Sequence, residues 1–291
     1  MNALTKLNKK IREISTESRQ KFSSLLNRNS FTLHQGDLSI IDDLHKNGIH
    51  VTTIEQLFPD TANKLTEVFA NVAVAMDITK DCELPDYVQK KTSSYDMLPG
   101  VLLSKYPEIF FLGLSKRLLD IVEAYLELPA AYHGVVIRRS LADGLECGPR
   151  LWHKDDEDFH VVRVVVYLND VDVGGGPFEY IPRPYKVSKK AMESIGWKTT
   201  TENMQKIVPQ DVVRQCYGKA GTVIICDAAN TYHHEQMQIS QPRSVAMFGF
   251  STRLPKNLSL AKSHFLVENV RDQLHPLLAA SQVPYVYGWR D

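Results

Sequence analysis

The chain has 291 residues, 43% of them apolar, with 34 basic and 34 acidic side chains and a formal net charge of zero. That supply of apolar residues can build a substantial core, and one large domain is the expected organisation. The balanced charge leaves no global field to recruit nucleic acid or an anionic membrane surface, so neither is an expected partner. Cys82, Cys147, Cys216 and Cys226 form no C-x-x-C pair, which argues against a zinc ribbon, a redox motif or a disulfide framework. The first 30 residues lack an apolar signal core, and no apolar run approaches the roughly 20 residues that span a bilayer. A soluble protein of the reducing cytoplasm, with no membrane span, is the resulting expectation.

Leu4, Leu7, Ile11, Ile14, Phe22 and Leu25 recur at spacings of mostly three and four, which predicts an amphipathic helix in a basic segment over residues 1–30. Packing against the remainder of the chain, residues 31–291, is its simplest use. Asn47-Gly48-Ile49-His50-Val51 reads as a turn and short strand, and Leu65, Val68, Phe69, Val72 and Met76 mark a helix. Pro107 suits a first helical position for a helix whose apolar face runs from Phe110 to Tyr125 and stops before Pro129. Beyond residue 132 the texture becomes β-like, with runs at 133–139, 161–168, 177–181, 221–226 and 243–250. Residues 182–221 are polar and weakly helical, a length of insertion that often covers a site. A short helix is expected near 268–280.

The chemistry-bearing residues lie in the β-rich part. His153 and Asp155, at i and i+2, project from one face of an extended segment, and a histidine from a distant strand can complete one face of an octahedral metal site. Two histidines and a carboxylate leave three positions for chemistry, the arrangement of non-heme Fe(II) oxygenases. Arg243, ten residues beyond His233, can hold the far carboxylate of a bidentate acid cosubstrate. Asp156, Glu157 and Asp158 read as a solvated acidic loop and His160 as structural. Alternation in the strand 161–168 puts Arg163, Val165 and Tyr167 on the more polar face, where Tyr167 could touch the cosubstrate. Arg138 either reaches into the barrel to bind cosubstrate or substrate or, more simply, makes a surface salt bridge.

Four ordered motifs carry a family resemblance: Trp152-His153-Lys154-Asp155, Tyr167-Leu168-Asn169-Asp170-Val171, Gly176-Pro177-Phe178-Glu179-Tyr180-Ile181-Pro182, and Gly221-Thr222-Val223-Ile224-Ile225-Cys226-Asp227 leading to His233. Across residues 130–253 the chain resembles the phytanoyl-CoA dioxygenase-like family of Fe(II)/2-oxoglutarate oxygenases. The resemblance implies a double-stranded β-helix, or jelly roll, with flanking N-terminal helices, an α+β to mainly β fold with its core at about 130–253. It implies Fe(II), 2-oxoglutarate and O2 as cofactor and cosubstrates, and hydroxylation of a small molecule with release of succinate and CO2. It maps the metal ligands onto His153, Asp155 and His233 and the cosubstrate anchor onto Arg243. His233 follows an aromatic, Tyr232, as the family's ligand commonly does, and His234 stays as the alternative ligand. Pro182-Arg183-Pro184-Tyr185 replaces the family's usual Pro-Gly-Ser-His turn. A metal-dependent cupin-like enzyme without 2-oxoglutarate and a noncatalytic jelly-roll binding protein remain as other readings.

Overall fold

The computed structural model describes residues 13–20, 31–76, 82–83, 94–237, 240–263 and 267–290. Among them, ten strands form two antiparallel sheets: β1 Ile49–Thr53, β2 Cys82–Glu83, β3 Ser94–Met97, β4 Ala130–Ser140, β5 Val162–Tyr167, β6 Phe178–Tyr180, β7 Arg214–Cys216, β8 Thr222–Asp227, β9 His233–Glu235 and β10 Arg243–Thr252. The large sheet has the order β1-β8-β5-β10-β4-β3-β2 and the small one β7-β6-β9. The expected runs at 133–139, 161–168, 177–181, 221–226 and 243–250 are thus all strands.

The sheets face one another because the central strands alternate. Val162, Val164, Val166, Val223, Ile225, Phe248 and Phe250 point to one side of the large sheet and pack on the helical layer through Phe110, Leu118, Ile121 and Val122. Val165, Tyr167, Ile224, Cys226 and Val245 point to the other side and meet Phe178 and Cys216 of the small sheet. Both faces of the central strands are buried, at about 1.5–3 kcal/mol for each fully buried large apolar side chain. The small sheet's outer face is covered by the insertion after β6, whose Met192, Met204 and Val208 enclose Trp152 and Ile181. Helices at Lys189–Ile195 and Thr201–Gln205 start on Ser188 and Thr200, whose hydroxyls accept from the backbone N–H groups of Ala191 and Asn203, three residues on.

Two elements differ from the sequence reading. The helix expected from Pro107 is two helices, Pro107–Leu112 and Lys116–Leu126. The break lies at Gly113, where any Cβ would collide with the Tyr132 ring, so β4 packs against bare backbone. Near the C-terminus the expected helix is a chain of short turns, with Arg271–Leu274 the α-helical part and Pro276 ending it. Of the amphipathic segment 1–30, residues 13–20 are helical and the rest lies outside the described residues. Gln20 docks this helix on the barrel, its Nε2 lying 2.9 Å from Asp158 Oδ1, Thr252 Oγ1 and the Leu254 carbonyl.

The departure at Pro182-Arg183-Pro184-Tyr185 also has a structural use. Arg183 pairs with buried Asp227, which accepts from Tyr125 Oη at 2.6 Å and lies 2.8 Å from His160 Nδ1. Burial opposes the charge on Asp227, but His160, Tyr125 and Arg183 together hold its pKa below the usual carboxylate value. His160 is therefore structural, as expected.

Candidate metal centre

His153 is held in the barrel by a backbone exchange with β9: His153 N–H donates to the His233 carbonyl and His233 N–H to the His153 carbonyl, each at 3.1 Å. This bridge puts the two side chains directly opposite on one face, with ring centroids 4.5 Å apart. Trp152, one residue earlier, pairs in the same way with Thr199 of the insertion. His153 thus lies on a bridged segment rather than in a regular strand. Asp155 is fixed by its own N–H, which donates to the Ala228 carbonyl at 3.0 Å. Its Oδ1 lies 3.6 Å from His153 Nε2 and 3.9 Å from His233 Nε2. Among the described residues, His153, Asp155 and His233 form the cluster whose ligand atoms all lie within 4.8 Å of one another.

The chemistry of this donor set fits a divalent transition metal. His153 Nδ1 lies 2.7 Å from the Leu151 carbonyl and His233 Nδ1 2.9 Å from the Thr231 carbonyl. A carbonyl only accepts, so each Nδ1 carries the proton and each Nε2 presents a lone pair toward Asp155. Outer-sphere hydrogen bonds of this kind fix tautomer and ring orientation in metal sites. Burial, reinforced by His233, lowers the His153 pKa to about 4, and burial lowers that of His233 as well. Both rings are neutral at pH 7, the form that binds metal.

Asp155 is oriented from behind. Arg163 of β5 donates from Nε to Asp155 Oδ2 at 2.8 Å and from Nη2 to Glu157 Oε1 at 2.5 Å. With Oδ2 occupied, Oδ1 is the oxygen turned to the histidines. Arg163 has room because β10 carries Gly249 opposite it, where a Cβ would collide with Arg163 Nη1. The acidic run is accordingly not a solvated loop. Glu157 is 2% and Asp158 1% exposed, Glu157 paired with Arg163 and Asp158 accepting from Thr252 and Gln20; Asp156 alone is exposed, beside Lys256. Burial of these carboxylates follows from the partners waiting for them.

His234 points the other way. Its Nε2 lies 2.7 Å from Glu179 Oε2, its Nδ1 2.8 Å from the Arg150 carbonyl, and its ring stacks on Trp152 at 4.0 Å. Both ring nitrogens are engaged on the small sheet's outer face, and His234 is not in the cluster.

Arg243, at the start of β10, is buried inside the barrel. Its Nη1 donates to the Gly176 carbonyl at 2.6 Å, its Nη2 lies 2.5 Å from Glu235 Oε1, and its Nε has no hydrogen-bond partner among the described residues. Tyr167 lies beneath it, the guanidinium 5.9 Å from the ring centroid. The Tyr167 hydroxyl donates to the Cys216 carbonyl at 2.8 Å and accepts from Phe178 N–H at 2.9 Å, so it ties the two sheets together. Phe178 in turn stacks on His233 at 5.4 Å, which links the arginine to the histidine pair. Arg138 makes a two-point ion pair with Asp96 of β3, both contacts at 2.7 Å, and is buried rather than on the surface. Arg253 lies apart, against Tyr285.

The sequence reading missed two partners. Arg163 was placed on the correct face, but its role behind Asp155 depends on the loop 156–161 folding back. Glu235, two residues after His233, is signalled by strand alternation alone, since i and i+2 share a face.

Two facing antiparallel sheets with a histidine-carboxylate-histidine cluster between them define the double-stranded β-helix class. Solved structures that share this fold include HygX from Streptomyces hygroscopicus with nickel and 2-oxoglutarate bound, at 16% identity, covering 76% of this chain and 88% of that one with a TM-score of 0.53. The non-heme alpha-ketoglutarate-dependent carbocyclase SnoK from nogalamycin biosynthesis is similar at 13% identity, 78% and 88% coverage and a TM-score of 0.52. EctD from S. alaskensis with bound Fe follows at 16% identity, 78% and 79% coverage and a TM-score of 0.50. No family model and no curated protein matches the chain.

Proposed function

We propose that this protein is an Fe(II)- and 2-oxoglutarate-dependent oxygenase acting on a small molecule, and that residues 31–291 are one domain carrying that site. The observation that carries the reading is the cluster itself: two neutral histidines with Nδ1 committed to carbonyls and Nε2 turned to one carboxylate oxygen. His153, Asp155 and His233 would hold the metal on one face. Fe(II) with 2-oxoglutarate and O2 supplies an oxidant that converts C–H to C–OH while the keto acid becomes succinate and CO2. The protein's own part is positioning. Arg163 keeps Asp155 aimed, and Arg243 offers to the far carboxylate of the keto acid a buried Nε–H that has no partner among the described residues.

The fold shared with HygX, SnoK and EctD supports this reading, since 2-oxoglutarate, iron or nickel belongs to the description of each. No helix among the described residues is long and apolar enough to cross a membrane. Cys216 and Cys226 are buried free thiols, as suits the reducing cytoplasm proposed as its compartment.

An anaerobic absorption titration with Fe(II) and then 2-oxoglutarate tests the reading. A charge-transfer band that requires both additions, vanishes in His153→Ala and weakens in Arg243→Ala is the expected result. Iron binding without a band would instead favour a metal-dependent cupin-like enzyme that uses no 2-oxoglutarate. A folded protein that binds no iron would leave a noncatalytic jelly-roll binding protein.

A further inference from the structure

Glu235 and His233 share one face of β9, two residue steps or roughly 7 Å apart along the chain. The Glu235 carboxylate lies inside the barrel, with Oε1 2.5 Å from Arg243 Nη2 and Oε2 accepting from Ser140 Oγ at 3.0 Å. Arg138 and Arg150 are the other cations acting on it, and each has its own carboxylate: Asp96 at 2.7 Å and Asp143 at 2.5 Å. Three guanidinium groups therefore meet three carboxylates before any ligand enters. Arg243 Nε–H, which has no hydrogen-bond partner among the described residues, is adjacent to the Nη2 that Glu235 already holds.

We propose that Glu235 is a resident carboxylate that competes with an acid cosubstrate for Arg243, and that it sets which 2-oxo acids the site retains. The inference rests on reading the metal cluster as a 2-oxo acid site. An incoming dicarboxylate brings its far charge to Nε beside Glu235, so two carboxylates share one guanidinium in a buried space. Like charges placed together across a desolvated contact repel strongly, whereas a neutral tail accepts the Nε–H hydrogen bond without that repulsion. Glu235 thus narrows the usual advantage of a dicarboxylate over an uncharged analogue at an anchoring arginine. It does so from the residue's position alone, without touching the metal ligands.

The test is a binding titration. Protein loaded with Co(II), or with Fe(II) under anaerobic conditions, is titrated with 2-oxoglutarate and with 2-oxoglutaramate, its neutral-tail amide, and the metal's visible absorption is followed. In the unaltered protein the two ligands should bind within about threefold of one another, a difference under 1 kcal/mol. Glu235→Gln should tighten 2-oxoglutarate by about tenfold or more, the scale of a removed like-charge contact, and leave the amide unchanged. A preference of about 100-fold for 2-oxoglutarate in the unaltered protein would overturn the proposal, and it decides the matter even if the variant fails to hold metal. Unchanged or weaker 2-oxoglutarate binding in a metal-loaded Glu235→Gln protein would overturn it too, leaving Glu235 as a structural partner of Arg243. Binding of neither acid by either metal-loaded protein would remove the cosubstrate reading itself, and this inference with it.

Discussion

His233 and His234 are neighbours in sequence, and the alternation of β9 sends them to opposite faces of the small sheet. On the inner face, His233 meets His153 and Asp155 with Nε2 uncommitted to any backbone partner. On the outer face, His234 has Glu179 on one nitrogen and the Arg150 carbonyl on the other, with Trp152 stacked on its ring. Both are buried imidazoles with a carboxylate nearby, so burial and charge do not separate the two. What separates them is whether the second nitrogen is already used. A site for a ligand is a place where hydrogen bonding stops one partner short.

The sharpest way to break this contrast is to remove one histidine at a time. His153→Ala should abolish Fe(II) and Co(II) binding while the protein stays folded. His234→Ala should retain metal binding but lose about 3 kcal/mol of stability, because Glu179 keeps Gln215 on Oε1 while its buried Oε2 loses its partner. Metal titration and urea unfolding of the two variants should therefore give opposite patterns. Weak metal binding in His234→Ala with unchanged stability would overturn the assignment of faces.

The next effect concerns the residue behind Asp155. Arg163→Met removes the donor on Asp155 Oδ2 and should lower metal affinity by about 10- to 100-fold, the scale reported by outer-sphere partners of metal ligands. Competition with a coloured chelator measures it.

A pH series sharpens the inner face further. His153 has its pKa lowered from 6.5 to about 4 in the folded, metal-free protein. Between those values the unfolded chain binds a proton that the folded chain does not, so stability falls as pH falls from 6.5 to about 4 and this contribution levels off below that. His153→Asn should flatten this part of the curve of unfolding midpoint against pH. An unchanged slope would mean that His153 is not the group responsible.

The smallest effect lies at the N-terminal helix. Gln20→Ala removes one side chain from Asp158, Thr252 and Leu254 and should cost about 1 kcal/mol, measured by denaturant unfolding, with no change in metal affinity.

Much of this molecule was legible in its sequence, and what was hidden follows a pattern. The strands 161–168 and 221–226 announce themselves because both faces are buried and read as continuous β-branched runs. His153, Asp155 and His233 were legible through spacing and the ordered motifs around them. The break at Gly113 was not, because the obstacle is a tyrosine from β4 rather than anything in the helix's own periodicity. The acidic run 156–158 misled for the same reason. Its carboxylates look solvated until Arg163, Thr252 and Gln20 arrive from distant segments to receive them. Local pattern reports what a residue prefers when alone, and these residues are decided by company.

Trp152 and Thr199 exchange both of their backbone hydrogen bonds, at 2.8 and 3.0 Å. The insertion that covers the small sheet is therefore a splint laid along the segment that carries His153 rather than a flap hinged over it. Any excursion of residue 199 pulls on residue 152 and rotates the peptide that aims His153. Amide protons of Trp152 and Thr199 should exchange with solvent together, as one opening event.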